Sequence, residues 1–416
     1  MRVYRFALFA LCLVLSLPCL AQTAPAAPAP PGFAPIIIPF AKTTGPTSLI
    51  PIDVMINGKG PYHFMLDTGS PCIVLTTALA AEIGIKLIET PPLPAALKKY
   101  GAVKLGQLNS VEFGGESLED GACVILPMQS GNPFQGLLGA PVFQNYVVTI
   151  DYASQTLTLS DPTTFTYQGK GDFVPLTMTE GNNHAIINAT VDGIAARFAL
   201  DTGFDCPLVL SGVFVKRHNL LKKSHAKQTK TFAAMPLGDE PMISMRLPAL
   251  TLGKNVFRDV LTLLQAPDAA TDIPADGLIG GEILQRFTVT FDYTNKRAWF
   301  EPNKNFAAPD ASDRAGFVAH YENSTYLVTS IDAHSPAAKV KLKAGNRILK
   351  INGVDTAKID LLQFNGFFCQ PAGTVLHLTV RSAKKTREVT LILKEYYQAP
   401  GQVVKAKDGN GKNEPK

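Results

Sequence analysis

Most of the chain alternates apolar and polar residues in short runs rich in Val, Ile, Thr, Phe and Tyr, broken by Gly, Asn-Gly, Asp-Gly and Pro. A period of two predicts half-buried strands, and the turn dipeptides predict hairpins between them. Long stretches with helical spacing are scarce, so the expected class is mainly β. Short helices are predicted at residues 77–83, 140–144, 281–286 and 335–340. The Lys/Arg/His-rich stretch 216–230 reads as a solvated loop or flap face.

Two segments lack periodicity altogether. Residues 22–36 are rich in Pro and Ala, and residues 398–416 are polar and rich in Lys and Gly. Both are expected to be disordered linkers. Ahead of them, residues 1–21 carry Arg2 and Arg5, then an apolar run from Phe6 to Leu17, then Pro18 and a small residue at Ala21. That is the pattern of a secretory signal peptide. The run is shorter than the roughly 20 apolar residues of a spanning helix, so no stable membrane insertion is expected after cleavage. The expected location is periplasmic or extracellular.

An internal repeat organises the rest. Asn57-Gly58 leads through a run ending in Leu66-Asp67-Thr68-Gly69, and Asp192-Gly193 leads through a run ending in Leu200-Asp201-Thr202-Gly203. Each reads as a hairpin whose second strand ends in Asp-Thr-Gly. A second pair follows in the same order: Leu137-Leu138-Gly139 precedes Thr149-Ile150-Asp151-Tyr152, and Leu278-Ile279-Gly280 precedes Thr290-Phe291-Asp292-Tyr293. The glycine-to-aspartate spacing is 12 residues in both copies. The reading is a duplicated domain, with lobe 1 at residues 37–166 and lobe 2 at residues 171–303. A third unit at residues 313–397 has the strand and helix pattern of a small β-barrel.

The chemistry implied by the duplication is carried by Asp67 and Asp201. Two carboxyls about 3 Å apart cannot both ionise, so they share one proton. Such a pair can take a proton from water while donating one to a carbonyl oxygen. Glycine lets the two loops approach closely, and threonine can hydrogen-bond across the interface. Leu66-Asp67-Thr68-Gly69-Ser70 and Leu200-Asp201-Thr202-Gly203, with the two apolar-apolar-Gly elements, resemble the pepsin and retropepsin superfamily of aspartic proteases over residues 37–302.

That resemblance implies a bilobal acid-protease fold with Asp67 and Asp201 as the catalytic pair, supported by Thr68, Gly69, Thr202 and Gly203. It also implies that Ser70 hydrogen-bonds the outer oxygen of Asp67. The second copy continues with Phe204 where the family has Ser or Thr, and Asp205 adds another acid. Tyr100 is a candidate flap tyrosine.

The C-terminal unit resembles PDZ domains attached to bacterial proteases, through Ala315-Gly316-Phe317-Val318, Ser335-Pro336-Ala337-Ala338 and Lys343-Ala344-Gly345-Asn346-Arg347-Ile348. The resemblance implies peptide binding at Gly316, Phe317 and Val318, with a C-terminal carboxylate gripped by backbone N–H groups. Val340-Lys341 and Asn346 depart from the family pattern.

Composition excludes some partners. The formal net charge of +5 falls to +3 without Arg2 and Arg5. No basic stripe with interleaved aromatics appears, which argues against nucleic acid. Four cysteines follow the leader, namely Cys72, Cys123, Cys206 and Cys369. Export would permit disulfides in any of three full connectivities, among which sequence does not choose. Cys72 and Cys206 stand at matching places after the two aspartates, where small buried thiols are expected. No zinc spacing occurs, so neither a metal nor a cofactor is expected.

Two functions remain open. One is a secreted, monomeric endopeptidase acting on polypeptides through the Asp67/Asp201 dyad, with C-terminal peptides held at the PDZ unit. The other is a catalytically silent peptide-binding protein with a protease-like cleft, favoured by Phe204. Tethering both halves in one chain supports the monomer.

Overall fold

The computed structural model describes residues 32–41, 47–89, 103–128, 130–179, 183–223, 229–235, 238–267, 273, 275–308, 310, 313–332, 334–383 and 385–395. The predicted signal peptide, Tyr100 and the C-terminal tail lie outside the described residues.

Each Asp-Thr-Gly hairpin turns where the sequence calls for it. Asn57 and Gly58 have φ of 51° and 72°, and Asp192 and Gly193 have φ of 48° and 76°. Two consecutive positive φ angles match the twist of tight hairpins, which is why Asn-Gly and Asp-Gly stand there. In lobe 1 the strands Pro51–Ile56 and Lys59–Leu66 belong to a seven-stranded sheet. In lobe 2 the strands Ala185–Val191 and Ile194–Asp201 belong to an eight-stranded sheet.

A third sheet joins the lobes, with three strands from each half. At its centre Val147–Asp151 runs antiparallel to Phe287–Asp292, with Thr149 opposite Thr290 and Ile150 opposite Val289. Thr149 and Thr290 are equivalent positions of the sequence repeat. Their direct pairing places a pseudo-two-fold axis between them, and their Oγ1 atoms are hydrogen-bonded at 2.9 Å. The repeat in sequence is thus a rotation in space.

The predicted helices are observed at Thr77–Ile83, Ala140–Asn145, Gly281–Leu284 and Pro336–Lys339. Thr76 caps the first by accepting the Leu79 N–H, and Gly84 closes it at φ 75°. The stretch 216–230, expected to be a solvated loop or flap face, exposes Lys216 and Arg217 and is partly regular among its described residues. Residues Gly212–His218 form a helix capped by Ser211 and closed by Asn219 at φ 53°. Lys216, Arg217 and His218 occupy its last turn, where positive charge complements the helix dipole. Thr229–Met235 then pairs with Gly238–Leu252 in a long hairpin.

The C-terminal unit is a six-stranded sheet with the helices Pro336–Lys339 and Leu361–Gly366. It docks on lobe 1. Its buried core, including Phe317, Tyr326 and Phe364, joins one apolar cluster with Met65, Val74, Leu105 and Leu137 of lobe 1. The Leu361 N–H donates to the Gly131 carbonyl at 2.9 Å. A Cβ on Gly131 would lie 2.8 Å from Cβ of Tyr321, so glycine permits this approach.

Candidate active site

The strand Lys59–Leu66 delivers Asp67 by running parallel to Gly136–Leu138, with Leu66 beside Leu138. The Asp67 N–H donates to the Leu138 carbonyl at 2.9 Å. In lobe 2, Ile194–Asp201 runs parallel to Gly277–Gly280 in the same way. Gly139 and Gly280 end these supporting strands. A Cβ on either would lie about 2 Å from a backbone oxygen, at 2.2 Å from that of Cys72 and 2.1 Å from that of Cys206. Space for each loop is what the apolar-apolar-Gly elements provide.

Four reciprocal hydrogen bonds lock the loops together. Thr68 Oγ1 donates to the Leu200 carbonyl at 2.8 Å and accepts the Thr202 N–H at 2.9 Å. Thr202 Oγ1 donates to the Leu66 carbonyl at 2.9 Å and accepts the Thr68 N–H at 3.0 Å. Both threonines are buried. Each hydroxyl therefore satisfies one donor and one acceptor of the opposite lobe, groups that water does not reach.

The carboxyls of Asp67 and Asp201 meet at this junction, and both residues are fully buried. The Gly69 N–H donates to Asp67 Oδ1 at 2.8 Å, and the Gly203 N–H donates to Asp201 Oδ1 at 3.0 Å. Burial, and next the facing Asp201 carboxyl, hold Asp67 well above the usual carboxylate range, against the opposing pull of the Gly69 N–H. The pair therefore retains a proton where an ordinary aspartate has lost it.

Gly69 lies close against the opposite loop. A Cβ there would sit 2.5 Å from Cγ of Asp201. Gly69→Ala is expected to push the loops apart, costing roughly 1–3 kcal/mol of stability as an overpacked site does. The urea-unfolding midpoint checks this.

Ser70 differs from expectation. Its hydroxyl donates to the Cys72 carbonyl at 2.9 Å rather than to the outer oxygen of Asp67, because the loop folds back after Gly69 and brings that carbonyl within reach. Phe204, at the matching place in lobe 2, buries its ring in an apolar cluster with Ile186, Val209, Met242 and Leu263. The hydroxyl missing from lobe 2 thus stands where lobe 1 uses its hydroxyl to brace its own loop.

Two cross-lobe contacts were not visible in the sequence. Asp205 is buried, and its Oδ1 accepts both the Ser48 N–H at 2.8 Å and the Ser48 hydroxyl at 2.7 Å. His184, in lobe 2, places Nε2 at 2.9 Å from the Gly69 carbonyl oxygen of lobe 1. The signal for both is weak: each partner lies just ahead of the strand that opens an Asp-Thr-Gly hairpin.

Tyr152 and Tyr293, matched by the repeat, have buried hydroxyls without a hydrogen-bond partner. Burial and the nearby aspartates push both hydroxyls up, so they stay neutral. Among the described residues, Cys123 and Cys206 are buried free thiols. Burial raises Cys206 well above its ordinary value and Cys123 to about 12, which suits inert core thiols.

In the C-terminal unit Gly316 has φ of 77° and opens the strand Phe317–Glu322 at the edge of its sheet. Its N–H donates to Asp313 Oδ2 at 3.0 Å, and the Ala315 N–H donates to Asp313 Oδ1 at 2.9 Å. Phe317 is a core residue against Phe368, and Val318 is nearly buried.

The mainly β, two-lobed fold and its paired loops resemble those of aspartic proteases, and a PDZ domain follows. Residues 52–142 match the family described as Aspartyl protease, and residues 327–382 match the PDZ domain. Among solved structures the chain is similar to Basic 7S globulin from soybean at 12% identity, over 65% of this chain and 95% of that one, with a TM-score of 0.38. It is also similar to a retropepsin-like aspartic protease from Rickettsia conorii at 24% identity, over 30% of this chain and 89% of that one, with a TM-score of 0.23. No curated protein matches the chain.

Proposed function

We propose that the chain is an exported, monomeric aspartic endopeptidase whose catalytic pair is Asp67 and Asp201. The observation that carries this reading is the reciprocal threonine lock, which holds two fully buried carboxyls face to face. With one proton between them, the ionised carboxyl takes a proton from an attacking water while the protonated one donates to the peptide carbonyl oxygen. The resulting tetrahedral diol collapses by returning a proton to one carboxyl as the leaving nitrogen receives one from the other. A new carboxyl and a new amine result, and the dyad regains its single proton. The PDZ domain adds an extended C-terminal peptide to the edge strand Phe317–Glu322.

The second reading, a silent peptide-binding protein, is favoured by one feature. Phe204 leaves lobe 2 without the hydroxyl that lobe 1 keeps at Ser70.

Denatured casein incubated with the chain from residue 22 onward tests the choice. The raised pKa of Asp67 sets the expected pH dependence. Cleavage should persist above the pH at which an ordinary aspartate ionises, near 4, and fall as pH rises through release of the shared proton. The rate of new amine formation against pH reads this directly.

A further inference from the structure

Gly69 is held at three points. Its N–H reaches the Asp67 carboxyl, the Asp201 carboxyl fills the space a Cβ would take, and its carbonyl meets an imidazole from the opposite lobe. That imidazole belongs to His184, which is only 1% exposed. The backbone of His184 is fixed by Thr179, whose hydroxyl accepts its N–H at 3.0 Å and whose N–H donates to its carbonyl at 3.1 Å. We propose that His184 is a positioning residue of the dyad, donating Nε2–H across the lobe interface to Gly69 and so setting where Asp67 stands against Asp201.

The donor assignment follows from chemistry. A carbonyl oxygen only accepts, so the proton of the bond must sit on Nε2. Nδ1 is buried with no hydrogen-bond partner. A second proton there would create a buried charge and an unsatisfied N–H together, so the imidazole is held neutral. Burial lowers its pKa accordingly, against the smaller opposing effect of the Gly69 bond.

The arrangement has no symmetric copy. Ile52 faces Phe64 and Ile187 faces Phe198 across the two hairpins, which makes Leu49 the counterpart of His184. The opposite crossing is made instead by Ser48 to Asp205. Only one side of the junction therefore depends on an imidazole. Among the described residues, the junction also carries the carboxyls of Asp67, Asp201 and Asp205, the hydroxyls of Tyr152 and Tyr293, and, beside Asp205, Cys206 and Glu282.

The sign of the pH effect is fixed by the lowered value. As pH falls below about 6.5, the unfolded imidazole takes up its proton before the folded one does. The contribution of His184 is present above that pH and is lost progressively toward the lower, folded value. His184 thus limits the acid side, while the dyad limits the alkaline side.

The test compares wild type, His184→Gln and His184→Ala in the chain from residue 22 onward. Glutamine can donate to the Gly69 carbonyl and does not titrate. At neutral pH His184→Ala should lose about tenfold or more in kcat on denatured casein, and His184→Gln should recover most of it. The midpoint of urea unfolding should decline below about pH 6.5 more steeply in wild type than in His184→Gln. Nitrogen NMR of the wild-type imidazole should show the Nε2–H tautomer and a pKa below that of free histidine.

The proposal is overturned by an Nδ1–H tautomer, by an ordinary or raised imidazole pKa, or by an alanine variant equal to the glutamine one. The effect on rate rests on the endopeptidase reading. If wild type cleaves no casein, that reading fails while the NMR and unfolding arms still decide the role of His184.

Discussion

Asp67→Asn is expected to lower cleavage of denatured casein by roughly 100- to 10,000-fold, the range for removing a general acid or base. Asp201→Asn should do the same, since each change removes half of a unit that works only as a pair. Stability moves the other way. The folded pKa of Asp67 is raised, so its favourable contribution is complete at acid pH and is lost as pH rises through the folded value. An asparagine carries no such titration. Relative to wild type, Asp67→Asn should therefore gain stability with rising pH, and urea unfolding at two pH values reads the trend. Lost activity with undiminished stability would separate chemistry from folding.

Thr202→Val is expected to be costly in the opposite sense. The substitution is close in volume, yet it deprives the Thr68 N–H and the Leu66 carbonyl of their partner. Each unsatisfied buried group costs roughly 1–3 kcal/mol, so a loss of about 2–6 kcal/mol is expected by urea unfolding. Thr202→Ser keeps the hydroxyl and should remain near wild type. Thr68→Val should behave as Thr202→Val does, and the double variant should be less than additive, because both threonines serve one network.

Local sequence carried much of the architecture. The Asn57-Gly58 and Asp192-Gly193 turns and the two Asp-Thr-Gly runs are short-range signals whose geometry is fixed by backbone sterics. The repeat went further, since it marked Thr149 and Thr290 as equivalent residues, which the central sheet then pairs directly. What it could not give is how each lobe departs from symmetry. Ser70 and Phe204 stand at the same place, but the hydroxyl turns to its own loop and the ring turns into the lobe 2 core.

Contacts between distant segments were hidden for a related reason. His184 meets Gly69 and Ser48 meets Asp205 across more than a hundred residues, so no local period marks them. The helix Gly212–His218 ends in a basic turn that reads as a solvated loop or flap face when only charge is counted. Docking of the PDZ domain through Gly131 and Leu361 belongs to the same class, since a glycine in a loop gives no hint of what approaches it.

The most direct test of the account is the mass-spectrometric reading of new termini from denatured casein, from acidic to alkaline pH, with wild type beside Asp201→Asn. Internal cleavages should fade as the dyad loses its shared proton and should be absent throughout in the variant. Intact casein at every pH with a folded wild-type chain, or equal cleavage by the variant, would contradict it.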